Sequence, residues 1–412
     1  MTCEESDIPS WLNETFFENI LRKCENDSTI SVDSLQVSLA SGKGEHYASI
    51  IFRGQFNGIQ NGSKKRYNVI IKAPYEENEL ANDIIKQYNF FEQEMEMYDK
   101  ILPECHRLLG TIDDHSQISP KSLFCDYEKS IIVCEDLSAK GFQMADRKTG
   151  LDRQHIELAI KKIARLHATS IAIEAKSGYN LKKFDTGIFN RKTSAFTSYF
   201  LTSLDALVNC ISRWKDYDYY VDKLIKLRPH FEERARQMYE PKENDFNVLI
   251  HGDLWTNNLM YKYNNEQKPI DVQIIDYQLM CWAPAAIDLH FLFNTSLKED
   301  LKRTIYDELV QFYHLHLSDT LKKLGLGNKV PTLHELQISM LKNEFSVLTS
   351  GLIEQPVMIL DDEFAAEADF NALLGLDSRS LKFKENLYKN EKIHSVIRYL
   401  LPRLDHKGLL DC

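Results

Sequence analysis

The sequence predicts an α+β protein of two lobes: a small, β-rich N-terminal lobe over residues 1–137 and a large, mainly helical C-terminal lobe over 138–412. Three observations predict it. Runs with strand character are concentrated in the first third of the chain, with one long helical pattern among them. Helical periodicity takes over after about residue 137. A compact strand-and-loop island at 247–276 then interrupts that helical remainder.

The elements follow in order. Residues 9–23 place Trp11, Leu12, Phe16, Ile20 and Leu21 on one helical face. Strand runs follow at 34–40 (SLQVSLA), 46–56 (HYASIIFRGQF) and 66–73 (RYNVIIKA). The second and third are joined by NGIQNGSKK, whose Asn-Gly pairs at 57–58 and 61–62 suit a hairpin connector. A helix is expected over 79–101, ending before Pro103. Strands at 121–126 (SLFCDY) and 130–135 (SIIVCE) complete a small antiparallel sheet. Helices are expected at 153–174, 193–212 and 217–239, and again from 286 to the end.

Bulk properties narrow the partners. With 61 acidic against 50 basic residues the net charge is −11, so the body of the protein repels phosphate backbones and anionic lipid. Nucleic acid and membrane surface are therefore not expected as main partners, whereas a nucleotide needs only a few local positive charges. Eight cysteines are scattered with no C-x-x-C pair and no zinc spacing, which points to a reduced compartment. The acidic start MTCEESDIPS is unlike a signal or transit sequence, and the most apolar long window, 272–293, contains Asp276, Asp288 and a proline. A cytoplasmic location without membrane insertion is the expectation.

The island carries the chemistry. In VLIHGDLWTNNLMY, His251, Asp253 and Asn258 fit H-x-D-x-x-x-x-N, and VQIIDYQ ends a strand on a second acid, Asp276. Phosphoryl transfer has a use for each part: Asp253 to orient a hydroxyl and take its proton, Asn258 and Asp276 to hold Mg²⁺ through hard oxygens. Upstream, Lys72 closes a strand, as a nucleotide-phosphate lysine does. Of Glu92, Glu94 and Glu96, 20 to 24 residues further on, Glu94 is expected to pair with Lys72 and the other two to form a solvated face. Gly42 and Gly44 precede a strand and suit a loop closing over phosphates. Glu135, Asp136 and Leu137, after the strand that joins the lobes, are placed to read adenine through main-chain hydrogen bonds. His167, His251 and Asp288 are expected to be structural, with Asp288 bracing the catalytic loop. Together these parts imply ATP and Mg²⁺ as cofactors and a protein-kinase-like fold.

The chain resembles the insect ecdysteroid kinase-like family, related to choline and aminoglycoside kinases. The resemblance rests on HGDLWTNN at 251–258, IIDYQ at 274–278, GKGEHYAS at 42–49, EDLSAKGFQMADRKTGLD at 135–152 and ARLHATS at 164–170. It implies an ATP-dependent kinase of small-molecule alcohols, ecdysteroids or other lipophilic compounds among them, with Asp253 as base. Tyr277 and Gln278 stand where protein kinases carry Phe and Gly, and only eleven residues, 277–287, separate Asp276 from Asp288. That is too few for an activation loop, so a protein kinase is excluded. Two other readings compete with a steroid or xenobiotic kinase: a choline- or aminoglycoside-type kinase with an anionic pocket, and a catalytically silent fold that binds a hormone or lipid.

Overall fold

A computed structural model describes residues 8–40, 49–74, 79–243, 245–361, 364 and 367–411. The N-terminal part is built on a five-stranded antiparallel sheet. Its strands are β1 (Ser31–Leu39), β2 (Ile50–Gln60), β3 (Ser63–Ala73), β4 (Ser122–Asp126) and β5 (Ile131–Glu135), in the spatial order β1-β2-β3-β5-β4. Side chains alternate across such a sheet, so directly paired residues share a face. Ile71 pairs with Val133, and both are buried against helix α1 (Glu14–Glu25) in a core that also holds Phe17, Ile20 and Phe52. Lys72 pairs with Ile132, which belongs to the other, larger core. This parity turns Lys72 away from α1 and toward the cleft.

The structure differs from the sequence expectation at the hairpin and at the helix that follows it. The hairpin connector is far shorter than the nine residues of NGIQNGSKK: β2 and β3 pair from Ile50↔Ala73 to Gln60↔Ser63, leaving Asn61 and Gly62 as the turn, at φ 50° and 75°. Positive φ at both positions is what the tight hairpin turn requires. The first Asn-Gly lies within β2, and a Cβ on Gly58 would sit 2.8 Å from Leu21 and 2.9 Å from Tyr67. Its glycine serves close packing of α1 on the sheet. The helix expected at 79–101 is instead α2 (Glu79–Tyr88), a left-handed Asn89 at φ 54°, α3 (Phe90–Glu96), a π-helical turn over Met97–Ile101 and α4 (Leu102–Gly110). The wide turn carries the chain past Pro103, whose missing N–H would otherwise end a regular helix.

The C-terminal part is mainly helical. Its long central helix α5 (Arg153–Lys176) is capped by Asp152, whose side chain accepts from the Gln154 and His155 amides. Helix α6 spans Thr197–Ile211, and the pattern at 217–239 divides at Pro229 into α7 (Asp218–Leu227) and α8 (Phe231–Tyr239). The β island holds a two-stranded and a three-stranded sheet. They are formed by β6 (Phe142–Met144), β7 (Asn247–Ile250), β8 (Leu259–Tyr263), β9 (Pro269–Ile274) and β10 (Cys281–Pro284), with β10 beside β7 and the order β6-β8-β9. Strand β6 escaped the sequence reading because it is three residues long. Among the described residues no helix is long and apolar enough to cross a membrane.

Helix α9 (Ala286–Ser296), which presents Asp288, is buried along its whole length. It is anchored by His290. The His290 Nε2 donates to the Met340 carbonyl at 2.8 Å, so Nδ1 is the acceptor of the Tyr306 hydroxyl. Burial depresses this histidine from 6.5 to about 4. Below pH 6.5 the unfolded chain takes up a proton that the folded state refuses, so the stability associated with His290 is complete above 6.5 and falls toward pH 4. The size of that loss is about 3 kcal/mol. Urea unfolding at pH 7 and pH 4.5 should therefore show a smaller difference for His290→Asn than for the wild type.

Candidate active site

The site forms where β7 ends. Leu249 and Ile250 are fully buried, and the chain then turns through His251, Gly252 and Asp253. Asp288 holds this turn. One of its carboxylate oxygens accepts from the His251 amide at 2.7 Å and the other from the Gly252 amide at 2.9 Å, with His167 Nε2 at 3.1 Å. His251 supports the turn from within. Its Nε2 donates to the Ile275 carbonyl at 2.9 Å, and its Nδ1 accepts from the Asp253 amide at 3.2 Å. These contacts need a neutral ring, and burial lowers the histidine accordingly. Asp288, His251 and His167 are thus structural, as expected.

Gly252 sits at φ +80°, and a Cβ there would overlap the Leu279 carbonyl oxygen. Neither the backbone angle nor the space admits a side chain. Gly252→Ala is expected to destabilise the protein by about 3 kcal/mol or more, read as a lower urea midpoint.

Asn258 lies in a short turn between Asp253 and β8. Its amide nitrogen donates to the Asp253 carbonyl at 2.8 Å and to the Asp253 carboxylate at 3.0 Å. That leaves Oδ1 as its other donor atom toward a cation. Asp276 follows β9 in a left-handed conformation at φ 67°. Lys72 Nζ donates to Asp276 at 2.5 Å and to Glu94 on α3, also at 2.5 Å. Burial opposes the lysine charge, but the carboxylates of Asp276 and Glu94 outweigh it and hold the ammonium above the ordinary lysine value. Burial pushes the Glu94 carboxyl upward, and Lys72 offsets that only in part. Asp253 is also raised well above the ordinary carboxylate range, by burial first and then by the Asp276 charge.

The structure therefore brings Lys72, Glu94, Asp253, Asn258 and Asp276 into one cleft between the sheet and the island. Glu92 is exposed, but Glu96 is not part of a solvated face: it pairs with Lys183 at 2.6 Å and meets the Tyr179 hydroxyl. In the linker, the Glu135 amide donates to the Lys121 carbonyl and the Asp136 amide to the Asn68 carbonyl, both at 3.0 Å. The Asp136 carboxylate is bound by Arg53 at 2.7 Å and is 3% exposed. The amides of these two residues are thus committed within the protein. Among the described residues the Leu137 amide has no acceptor and is the linker donor still available. Gly42 and Gly44 lie outside the described residues.

Sequence reasoning missed Gln93, beside Glu94. Its side-chain amide bridges the Tyr88 carbonyl (2.7 Å) and the Gln278 carbonyl (3.3 Å), tying α3 to the segment after Asp276. A polar residue among Phe90, Phe91 and Met95 on the buried side of a helix is the signal that would have found it. Arg53, with no motif around it, was not legible.

The residues fit a magnesium-bound nucleotide. Asp253 and Asp276 act on each other electrostatically across the cleft, a repulsion that a divalent cation relieves. An Asp oxygen and an Asn oxygen are the hard ligands Mg²⁺ takes, and it retains water and phosphate for the rest. Among the described residues no three His, Cys, Asp or Glu side chains converge as a closed metal cage, and such a shared ion does not need one.

The model of the ecdysteroid kinase-like family matches residues 43–326. Among solved structures, a Plasmodium vivax ethanolamine kinase aligns at 12% identity over 88% of this chain and 85% of its own, with a TM-score of 0.34. A comparison with curated proteins gives no match.

Proposed function

The chain belongs to the ecdysteroid kinase-like family, and on that premise we propose that it transfers the γ-phosphoryl group of ATP to a hydroxyl of a small lipophilic alcohol, an ecdysteroid or a xenobiotic. The observation that carries this reading is the Glu94–Lys72–Asp276 chain of ion pairs set against Asp253 and Asn258. Bound ATP with Mg²⁺ supplies the phosphoryl group and neutralises its charge.

The protein's own residues have separable parts. Lys72, held charged by two carboxylates, offers a fixed cation to phosphate oxygens, and Glu94 keeps that ammonium at the cleft face of β3. Asp276 and Asn258 would hold the metal. The Leu137 amide would read adenine, and Gly42 and Gly44 would close over the phosphates. Asp253 orients the acceptor hydroxyl and takes its proton.

The test is transfer from labelled ATP across 20-hydroxyecdysone, other hydroxylated steroids, plant phenolic glycosides and choline. Label on a steroid or phenolic acceptor supports the proposed class. Label on choline alone would overturn it in favour of a choline-type kinase.

A further inference from the structure

The catalytic loop carries a tryptophan for which the phosphoryl chemistry has no use. Trp255 lies two residues after Asp253, and its backbone is extended, at φ −139° and ψ 179°. An extended residue points its side chain away from those of its two neighbours. The neighbours here, Leu254 and Thr256, are both buried, so they face the interior and Trp255 faces away from it. Asp253 and Trp255 are each partly exposed, with buried Leu254 between them. The open side of the loop, which presents Asp253 to the cleft, therefore presents Trp255 as well.

The backbone that carries this indole is fixed. The Trp255 carbonyl accepts from the Asn258 amide at 2.9 Å, and the Thr256 amide donates to Ser296 Oγ at 3.0 Å. Asn258 is itself tied to the Asp253 carbonyl and carboxylate. The ring, in contrast, is unclaimed. Trp11 packs on Phe16, Trp214 packs on Tyr217 and His394, and Trp282 is buried in the larger core. Among the described residues Trp255 has no aromatic or cationic partner, and its indole N–H has no acceptor. A tryptophan kept for packing is covered by neighbours and has its N–H bonded. Trp255 is neither, and it stands beside the catalytic acid.

We infer that Trp255 is an acceptor-binding residue, whose indole face takes the apolar ring system of the alcohol so that a hydroxyl on that system reaches Asp253. The chemical class follows from the indole standing alone. Recognition of a quaternary ammonium uses a cage of several aromatic faces, and among the described residues no second ring stands against Trp255. A single flat, apolar face suits a ring skeleton instead. The inference rests on the kinase reading for the identity of the reacting hydroxyl.

Binding to nucleotide-free protein tests it without requiring turnover. The probes are 20-hydroxyecdysone, the phenolic glycoside arbutin and choline, titrated calorimetrically into wild type, Trp255→Phe, Trp255→Leu and Trp255→Ala. ATP with Mg²⁺ is titrated separately into each protein. Wild type should bind at least one of the two ring-bearing probes, with a quenching of tryptophan fluorescence that Trp255→Phe loses. Affinity for that probe should fall about tenfold in Trp255→Leu and Trp255→Ala, and less in Trp255→Phe, which keeps an aromatic face. Affinity for ATP with Mg²⁺ should be unchanged in all three. Unchanged affinity for the ring-bearing probe in Trp255→Leu and Trp255→Ala would overturn the inference and leave the kinase reading in place. An equal loss of ATP affinity would also overturn it, because that marks a damaged loop. Trp255→Leu keeps apolar volume and decides the matter if Trp255→Ala fails to fold. Wild type that binds ATP with Mg²⁺ but neither ring-bearing probe, whether or not it binds choline, would overturn the ring-bearing class. Absence of ATP binding in wild type would instead overturn the kinase reading itself.

Discussion

Asp253→Asn is expected to lower kcat by about 10²–10⁴-fold, the range that removal of a positioned base produces, with little change in the KM for ATP. The same substitution should leave the melting temperature unchanged or raise it. Asp253 is partly buried, and its charge is opposed both by that desolvation and by Asp276, so the neutral amide removes an electrostatic cost from the folded state. Loss of activity combined with retained or increased stability is the signature of a residue kept for chemistry rather than for packing. A fall in stability parallel to the fall in kcat would contradict it. Steady-state kinetics and thermal unfolding of the one variant supply both readouts.

Asp288→Ala should have the opposite signature. This carboxylate is 0% exposed and accepts from the His251 amide, the Gly252 amide and the His167 ring. Truncation leaves those donors in a space closed to water, and the expected loss is about 3–5 kcal/mol. Activity should fall with it, because the turn that aims Asp253 loses its anchor. Asp288→Asn retains one accepting oxygen and should lose less. Urea unfolding followed by tryptophan fluorescence measures the difference, and a change below about 1 kcal/mol would mean that the turn holds its shape without Asp288.

The strands and long helices were legible because burial imposes a period on the chain: alternate residues of β5 feed two different cores, and α5 is buried along most of its length. Boundaries were less so where tertiary packing overrode a local rule. Pro103 did not stop its helix, because a π-helical turn carried the chain past it. The Asn-Gly at 57–58 did not make a turn, because Gly58 is needed for the approach of Leu21 and Tyr67. Within the cleft, Lys72, Asp253, Asn258 and Asp276 stood out because strand ends and loops expose such residues in a fixed order. Gln93 did not: its polar side chain on a buried helical face signals a partner, but that the partner is the Gln278 carbonyl depends on which segments pack together.

Metal-dependent nucleotide binding in the cleft is the property on which the kinase reading depends. Calorimetric titration of ATP with and without Mg²⁺ into wild type, Asp253→Ala and Asp276→Ala measures this directly. The expected result is Mg²⁺-dependent binding to wild type and to Asp253→Ala, lost in Asp276→Ala. Absence of Mg²⁺-dependent binding in wild type, or its survival in Asp276→Ala, would contradict a nucleotide site built on Asp276.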